Sequence, residues 1–137
     1  MPLHDAQAFV LRTYKLAEAD KICVLLTRQS GKLRGIAYGA QKMKSRFGSS
    51  LEPFTEVSLT YFEKEGRDLV SISNAEIVHS HFRDASASVE AGAAMSYFSE
   101  LLCEFLPDHE PNETVYRLVA ASLDALGDGH DLIAVVR

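Results

Sequence analysis

The spacing of apolar and polar positions changes once along the chain, near residue 80. Before it, short apolar stretches alternate with polar ones at the two-residue period of β structure. Residues 8–15, 21–28, 32–39, 54–63 and 69–78 predict five strands. The second, with Ile22, Cys23, Val24, Leu25 and Leu26 in a row, reads as buried on both faces. Ser30-Gly31 supplies the tight turn into the third. Residues 41–53, with Gly48, Ser49, Ser50 and Pro53, read as a long loop. In the fifth strand the apolar phase shifts between Val70/Ile72 and Ala75/Ile77, which predicts a bulge of the kind a small barrel needs to close.

After residue 80 the period becomes helical. Ala94, Tyr97, Phe98, Leu101, Leu102, Phe105 and Leu106 define one apolar face. Pro107 and Pro111 bracket a break, and Asn112 is placed to cap a second helix carrying Val115, Leu118, Val119, Ser122 and Leu126. Gly127 and Gly129 end it. Two helices cannot enclose a core alone, so they must pack on the strands or on further helices. The expected architecture is an all-β OB-fold barrel over residues 1–80, then the start of an α-helical domain over 81–137, α+β as a whole. A generic α+β sandwich is the competing topology. The final apolar stretch lacks a cap, which reads as a chain cut short.

Composition narrows the class. With 137 residues and 47% apolar content the chain can bury a core without disulfides or metal. No apolar run reaches the ~20 residues of a membrane helix, and the N-terminus lacks a signal-peptide pattern. A cytoplasmic protein with no membrane partner is expected. Cys23 and Cys103 lie far apart in apolar surroundings and read as reduced core residues. His79 and His81, beside Glu76 and Asp84, read as surface rather than a metal site, and no cofactor is expected. No nucleophile–base set emerges, so the chain reads as a non-enzyme with no catalytic residues.

Charge is more informative than its total of −5. Residues 1–80 carry eleven Lys/Arg against nine Asp/Glu, a net of +2; residues 81–137 carry three against ten, a net of −7. Such asymmetry implies two surfaces with different partners. Between Asp20 and Glu52 stand seven cations and no acid: Lys21, Arg28, Lys32, Arg34, Lys42, Lys44 and Arg46. On the third strand Lys32, Arg34, Ile36 and Tyr38 share a parity and so leave one face. Phe47 follows in the next loop. Cations interleaved with rings suit single-stranded nucleic acid, where phosphates are neutralised and bases stack. These seven cations with Tyr38 and Phe47 are the candidate DNA-binding residues. Tyr38 also fits a core role, and Phe47 could pack under its loop.

In order along the chain come Ala8-Phe9-Val10-Leu11-Arg12-Thr13-Tyr14, Glu18-Ala19-Asp20-Lys21, Thr27-Arg28 with Gly31-Lys32-Leu33-Arg34, Gly39-Ala40, Ser45-Arg46-Phe47-Gly48, Leu51-Glu52-Pro53-Phe54, Ala75-Glu76-Ile77 and Glu110-Pro111-Asn112. This ordered set resembles the N-terminal part of the RecO family of bacterial recombination mediators. The resemblance implies an N-terminal OB-fold followed by a helical domain. It implies binding of single- and double-stranded DNA and annealing of complementary strands, at the bacterial nucleoid. It further implies work with a RecR-type ring protein to load recombinase onto strands coated by single-strand-binding protein, whose acidic C-terminal tail the family grips. Family members run longer than this chain and many carry a cysteine-ligated zinc site, so tail binding and full ring-protein engagement would draw on residues beyond these. Exposed apolar surface on residues 94–126, with self-association, is expected. The alternative function is a protein-interaction scaffold whose OB-fold binds a partner repair protein rather than DNA. A carbohydrate-binding OB-fold would favour rings without this concentration of cations.

Overall fold

The computed structural model describes residues 3–42, 45, 47–64, 68–80 and 89–127. Five strands, β1 (Leu3–Leu16), β2 (Asp20–Thr27), β3 (Gly31–Ala37), β4 (Thr55–Phe62) and β5 (Leu69–Ser80), form a closed barrel in the order β1-β2-β3-β5-β4. Two helices follow, α1 (Val89–Phe105) and α2 (Glu113–Gly127). This is the OB-fold barrel with a helical segment that the pattern predicts. β1 starts earlier than its β-forming residues suggest, because Leu3 to Ala8 pair with β4.

Closure is uneven. All neighbours pair antiparallel except β3 and β5, which run parallel and match only Arg34–Ile36 with Leu69–Ser71. Two irregularities bend β5 around β4, one where Thr60 opposes Asn74 but Tyr61 opposes Ile72. Ser73 is therefore the extra residue, and the phase shift along β5 is this bulge. A third irregularity, also a bulge, lies in β1 between Val10 and Arg12. Leu11 is the extra residue: Val10 faces into the barrel and Leu11 the helices, and the bulge places Arg12, opposite Val24, on the same outer side as Leu11.

Two apolar layers result. Ala8, Val10, Cys23, Leu25, Leu33, Val57, Leu59, Tyr61, Val70 and Ile72 fill the barrel, and Phe47 and Leu51 from the long loop join them. The loop holds that position through its own turn bonds, the Ser50 hydroxyl donating to the Phe47 carbonyl at 2.6 Å. On the outside, Phe9, Leu11, Val24, Leu26 and Phe54 pack against Met95, Phe98 and Leu102 of α1 and Tyr116, Val119 and Leu123 of α2. The helices therefore use the barrel as their core. α1 is pinned at the β1 bulge, where the Ser99 hydroxyl donates to the Leu11 carbonyl at 2.6 Å. The buried face of α1 is Met95, Phe98, Ser99 and Leu102, a register that leaves two members of the expected stripe, Tyr97 and Phe105, exposed to 62% and 74%. Asn112 caps α2 as its sequence suggests, its Oδ1 accepting from the Val115 amide at 3.0 Å.

The link between the helices completes the sheet. Above its pairing with β5, β3 has a free edge, and Asp108 bridges in parallel to Lys32 there. The His109 amide donates to the Lys32 carbonyl at 2.9 Å. Only glycine permits this approach: a Cβ on Gly31 would lie 2.3 Å from the Glu110 carbonyl oxygen, and Gly31 has φ +73°.

Candidate nucleic-acid interface

The strand parity inferred for β3 holds: Leu33, Gly35 and Ala37 point inward, and Lys32, Arg34, Ile36 and Tyr38 outward. What lies above that outer face differs along the strand. Its upper end is covered by the helical half. Lys32 is 8% exposed, and its ammonium donates to the Cys103 carbonyl at 2.5 Å and sits 3.5 Å from Asp108 Oδ1. Lys32 thus joins the barrel to the helices, and its assignment as a DNA contact is corrected on that ground. Arg34, half exposed, lies 3.9 Å from Asp108 Oδ2. Arg28 donates through Nε and Nη2 to the Glu113 carboxylate at 2.9 and 2.6 Å, and its guanidinium lies 5.5 Å from the Tyr116 ring centroid. Glu113 also accepts from Arg117 Nε at 3.2 Å. These guanidinium bonds hold the Glu113 carboxyl below its ordinary range.

The remaining sequence-predicted residues separate. Lys21 pairs with Ala37 on the interior phase and sits half-buried at the barrel mouth. Lys42 is exposed near the same end. Phe47 is 4% exposed within the barrel core, so the stacking role expected for it is corrected: the ring fills the interior, as the loop-packing alternative held. Lys44 and Arg46 lie outside the described residues, as do His81 and Asp84. Tyr38 is 42% exposed, with Lys64 Nζ 5.7 Å from its ring centroid.

The lower part of the outer face is open, and here a second set of residues appears. The β1 bulge carries Arg12 and Tyr14 to the outside. Across the strands two rows form, Tyr14–Ile22–Ile36 and Arg12–Val24–Arg34–Leu69. Tyr14, Ile22, Arg34, Ile36, Asp68 and Leu69 line a shallow depression of about 500 Å³. Tyr14 is 45% exposed and Arg12 lies over its ring at 5.1 Å. Two accessible rings, each with a cation beside it, lie on this side: Tyr14 lines the depression, Tyr38 follows two positions after Ile36, and Arg34 and Asp68 share the lining. That arrangement can stack unpaired bases while holding phosphates. Arg12, Tyr14 and Lys64 escaped the sequence reading. Arg12 and Tyr14 share a parity, but a bulge within the run Phe9-Val10-Leu11 decides which face they take.

Neither thiol is poised for chemistry. Burial pushes the Cys23 thiol up to about 12 and raises that of Cys103. No helix among the described residues is long and apolar enough to cross a membrane.

Comparison with known proteins places the chain in a family. The chain is 37% identical over 127 residues to the DNA repair protein RecO of Koribacter versatilis (strain Ellin345), covering 93% of this chain and 52% of the relative. It is 42% identical over 127 residues to that of Bifidobacterium animalis subsp. lactis (strain AD011), covering 92% and 52%. Against the RecO of Anaeromyxobacter sp. (strain K) it is 35% identical over 128 residues, covering 93% and 50%. The chain spans about half the length of the curated relatives it matches. Residues 1–81 match the family described as Recombination protein O N terminal, and residues 87–137 match Recombination protein O C terminal. The barrel that carries the two tyrosines and the helices that cover its upper face thus correspond to successive parts of one protein type, and the chain belongs to the RecO family of DNA repair proteins.

Proposed function

We propose that this chain is a non-enzymatic DNA-binding and strand-annealing module of a recombination mediator, acting at the nucleoid. The observation that carries the reading is the pair of cation-flanked tyrosines, Tyr14 with Arg12 and Tyr38 with Lys64, the first of them lining the depression floored by Ile22, Ile36 and Leu69. The strand 2–3 face is where OB-folds take oligonucleotides. Annealing requires no nucleophile and no metal. It requires that phosphates of two strands be neutralised while base edges stay free to pair, and rings that hold bases by their faces satisfy the second condition. The family relationship supports single- and double-stranded DNA as ligands. It also supports a RecR-type ring protein and the tail of single-strand-binding protein as partners of the whole protein, and recombinase loading as its outcome.

Fluorescence anisotropy of a labelled single-stranded oligonucleotide, repeated across salt concentrations, tests this. Tyr14→Ala and Tyr38→Ala are each expected to weaken binding by about 1–3 kcal/mol at unchanged salt slope. Arg34→Ala is expected to lower the slope by about one phosphate contact. Parental affinity in all three variants would remove the face from consideration. A second reading, a scaffold whose OB-fold binds a repair protein, is favoured by the apolar floor of the depression. A protein partner that an unlabelled oligonucleotide fails to displace, and whose binding Ile36→Ala weakens, would select it.

A further inference from the structure

The seam between barrel and helices is an ion-pair seam. Glu113, the first residue of α2, occupies the fork of the Arg28 guanidinium, with side chains 45% and 38% exposed. Asp108, in the link before α2, reaches both Lys32 and Arg34. The three cations are held differently. The Lys32 side chain is 10% exposed and its ammonium also bonds the Cys103 carbonyl, so it is desolvated and fixed. Arg28 and Arg34 remain open to water, and salt screens pairs of that kind. A phosphodiester offers a guanidinium the same charge and the same paired oxygens as a carboxylate. Glu113 therefore sits where a backbone phosphate would sit on Arg28.

We propose that residues 108–113 form an autoinhibitory strap. Asp108 and Glu113 stand in for phosphates on Arg34 and Arg28 and yield to a polyanionic strand. Lys32 and the main-chain bond from the His109 amide to the Lys32 carbonyl tether the strap so that it recloses when the strand leaves. The inference rests on the DNA-binding reading above; it adds Arg28 to the face and frees Arg34, already on it, of its carboxylate neighbour.

The test compares the parent chain, Asp108→Asn/Glu113→Gln, and a control, Glu104→Gln/Asp124→Asn, by oligonucleotide anisotropy across salt concentrations. The control removes two acids of the helical half that lie outside the strap and pair with no cation among the described residues. The strap variant is expected to bind about tenfold more tightly at low salt, with a slope steeper by up to about two contacts, while the control matches the parent. Equal binding by strap variant and parent overturns the proposal, as does a control that gains as much as the variant. If parent and variant both fail to bind, the DNA reading itself falls and the strap with it. Should the variant not fold, the wild-type protein decides by NMR. The Glu113 carboxyl carbon is expected to move to its free-carboxylate position when oligonucleotide is added, and an unmoved resonance overturns the proposal.

Discussion

At the scale of single residues, burial decides which cations can do what. Lys32 and Arg34 leave the same face two positions apart, yet one is desolvated beneath a carbonyl and a carboxylate and the other stays half exposed. Lys32→Ala leaves the Cys103 carbonyl and Asp108 without their shared donor. It is expected to lower unfolding free energy by about 1–3 kcal/mol in urea titration, without the fall in salt slope that loss of a phosphate contact gives. Arg34→Ala should do the reverse. The sequence shows the common parity of the two residues but not the coverage, since coverage comes from Cys103 and Asp108, remote in the chain. Phe47 carries the same lesson. A ring after Arg46 in a Gly/Ser loop looks exposed by composition, and nothing local reveals that the loop folds back to plug the barrel.

At the scale of elements, regular departures from pattern were legible and those hidden in uniform runs were not. The β5 bulge shows in the sequence because Ser73 and Asn74 interrupt an apolar alternation. The β1 bulge does not, because Phe9, Val10 and Leu11 are all apolar and all buried whichever way the strand turns. That one uncertainty hid Arg12 and Tyr14. In α1 the apolar residues outnumber the positions the barrel can cover, so periodicity alone does not choose Met95–Phe98–Leu102 over Tyr97–Leu101–Phe105. For α2 the local signals fix the start, with Asn112 as cap and Glu113 at the positive end of the helix dipole, but not the face: Tyr116 and Leu123 are buried beside Val119, whereas Leu118 of the expected stripe is 43% exposed. Because Arg28 lowers the Glu113 carboxyl from its ordinary 4.5, the folded state binds that proton more weakly than the unfolded chain. The resulting stabilisation is present above pH 4.5 and is lost as pH falls through the lowered value. Thermal unfolding of wild type and Glu113→Gln should therefore differ most at neutral pH and converge as pH falls through the lowered value.

At the scale of the whole molecule, the split between a +2 barrel half and a −7 helical half reads from sequence as two surfaces for two outside partners. In the fold, part of that charge is spent internally: Asp108 and Glu113 meet Lys32, Arg34 and Arg28 across the seam. The barrel and helices thus share an apolar layer and a set of ion pairs, although the change of period divides them near residue 80. The main-chain bridge from Lys32 to Asp108 gives this unity a direction in time. Synthesis delivers all five strands before residues 108–110 exist. For that interval β3 carries an unfilled upper edge of the kind that recruits a stray strand from another chain. The nascent barrel can assemble at the ribosome, but it is sealed only once both helices' connecting link has emerged. Residues 1–80 expressed alone are accordingly expected to form concentration-dependent oligomers in light scattering, where the 137-residue chain stays protected at that edge. A well-behaved monomeric 1–80 fragment would show that three parallel pairs between β3 and β5 suffice to shut the barrel.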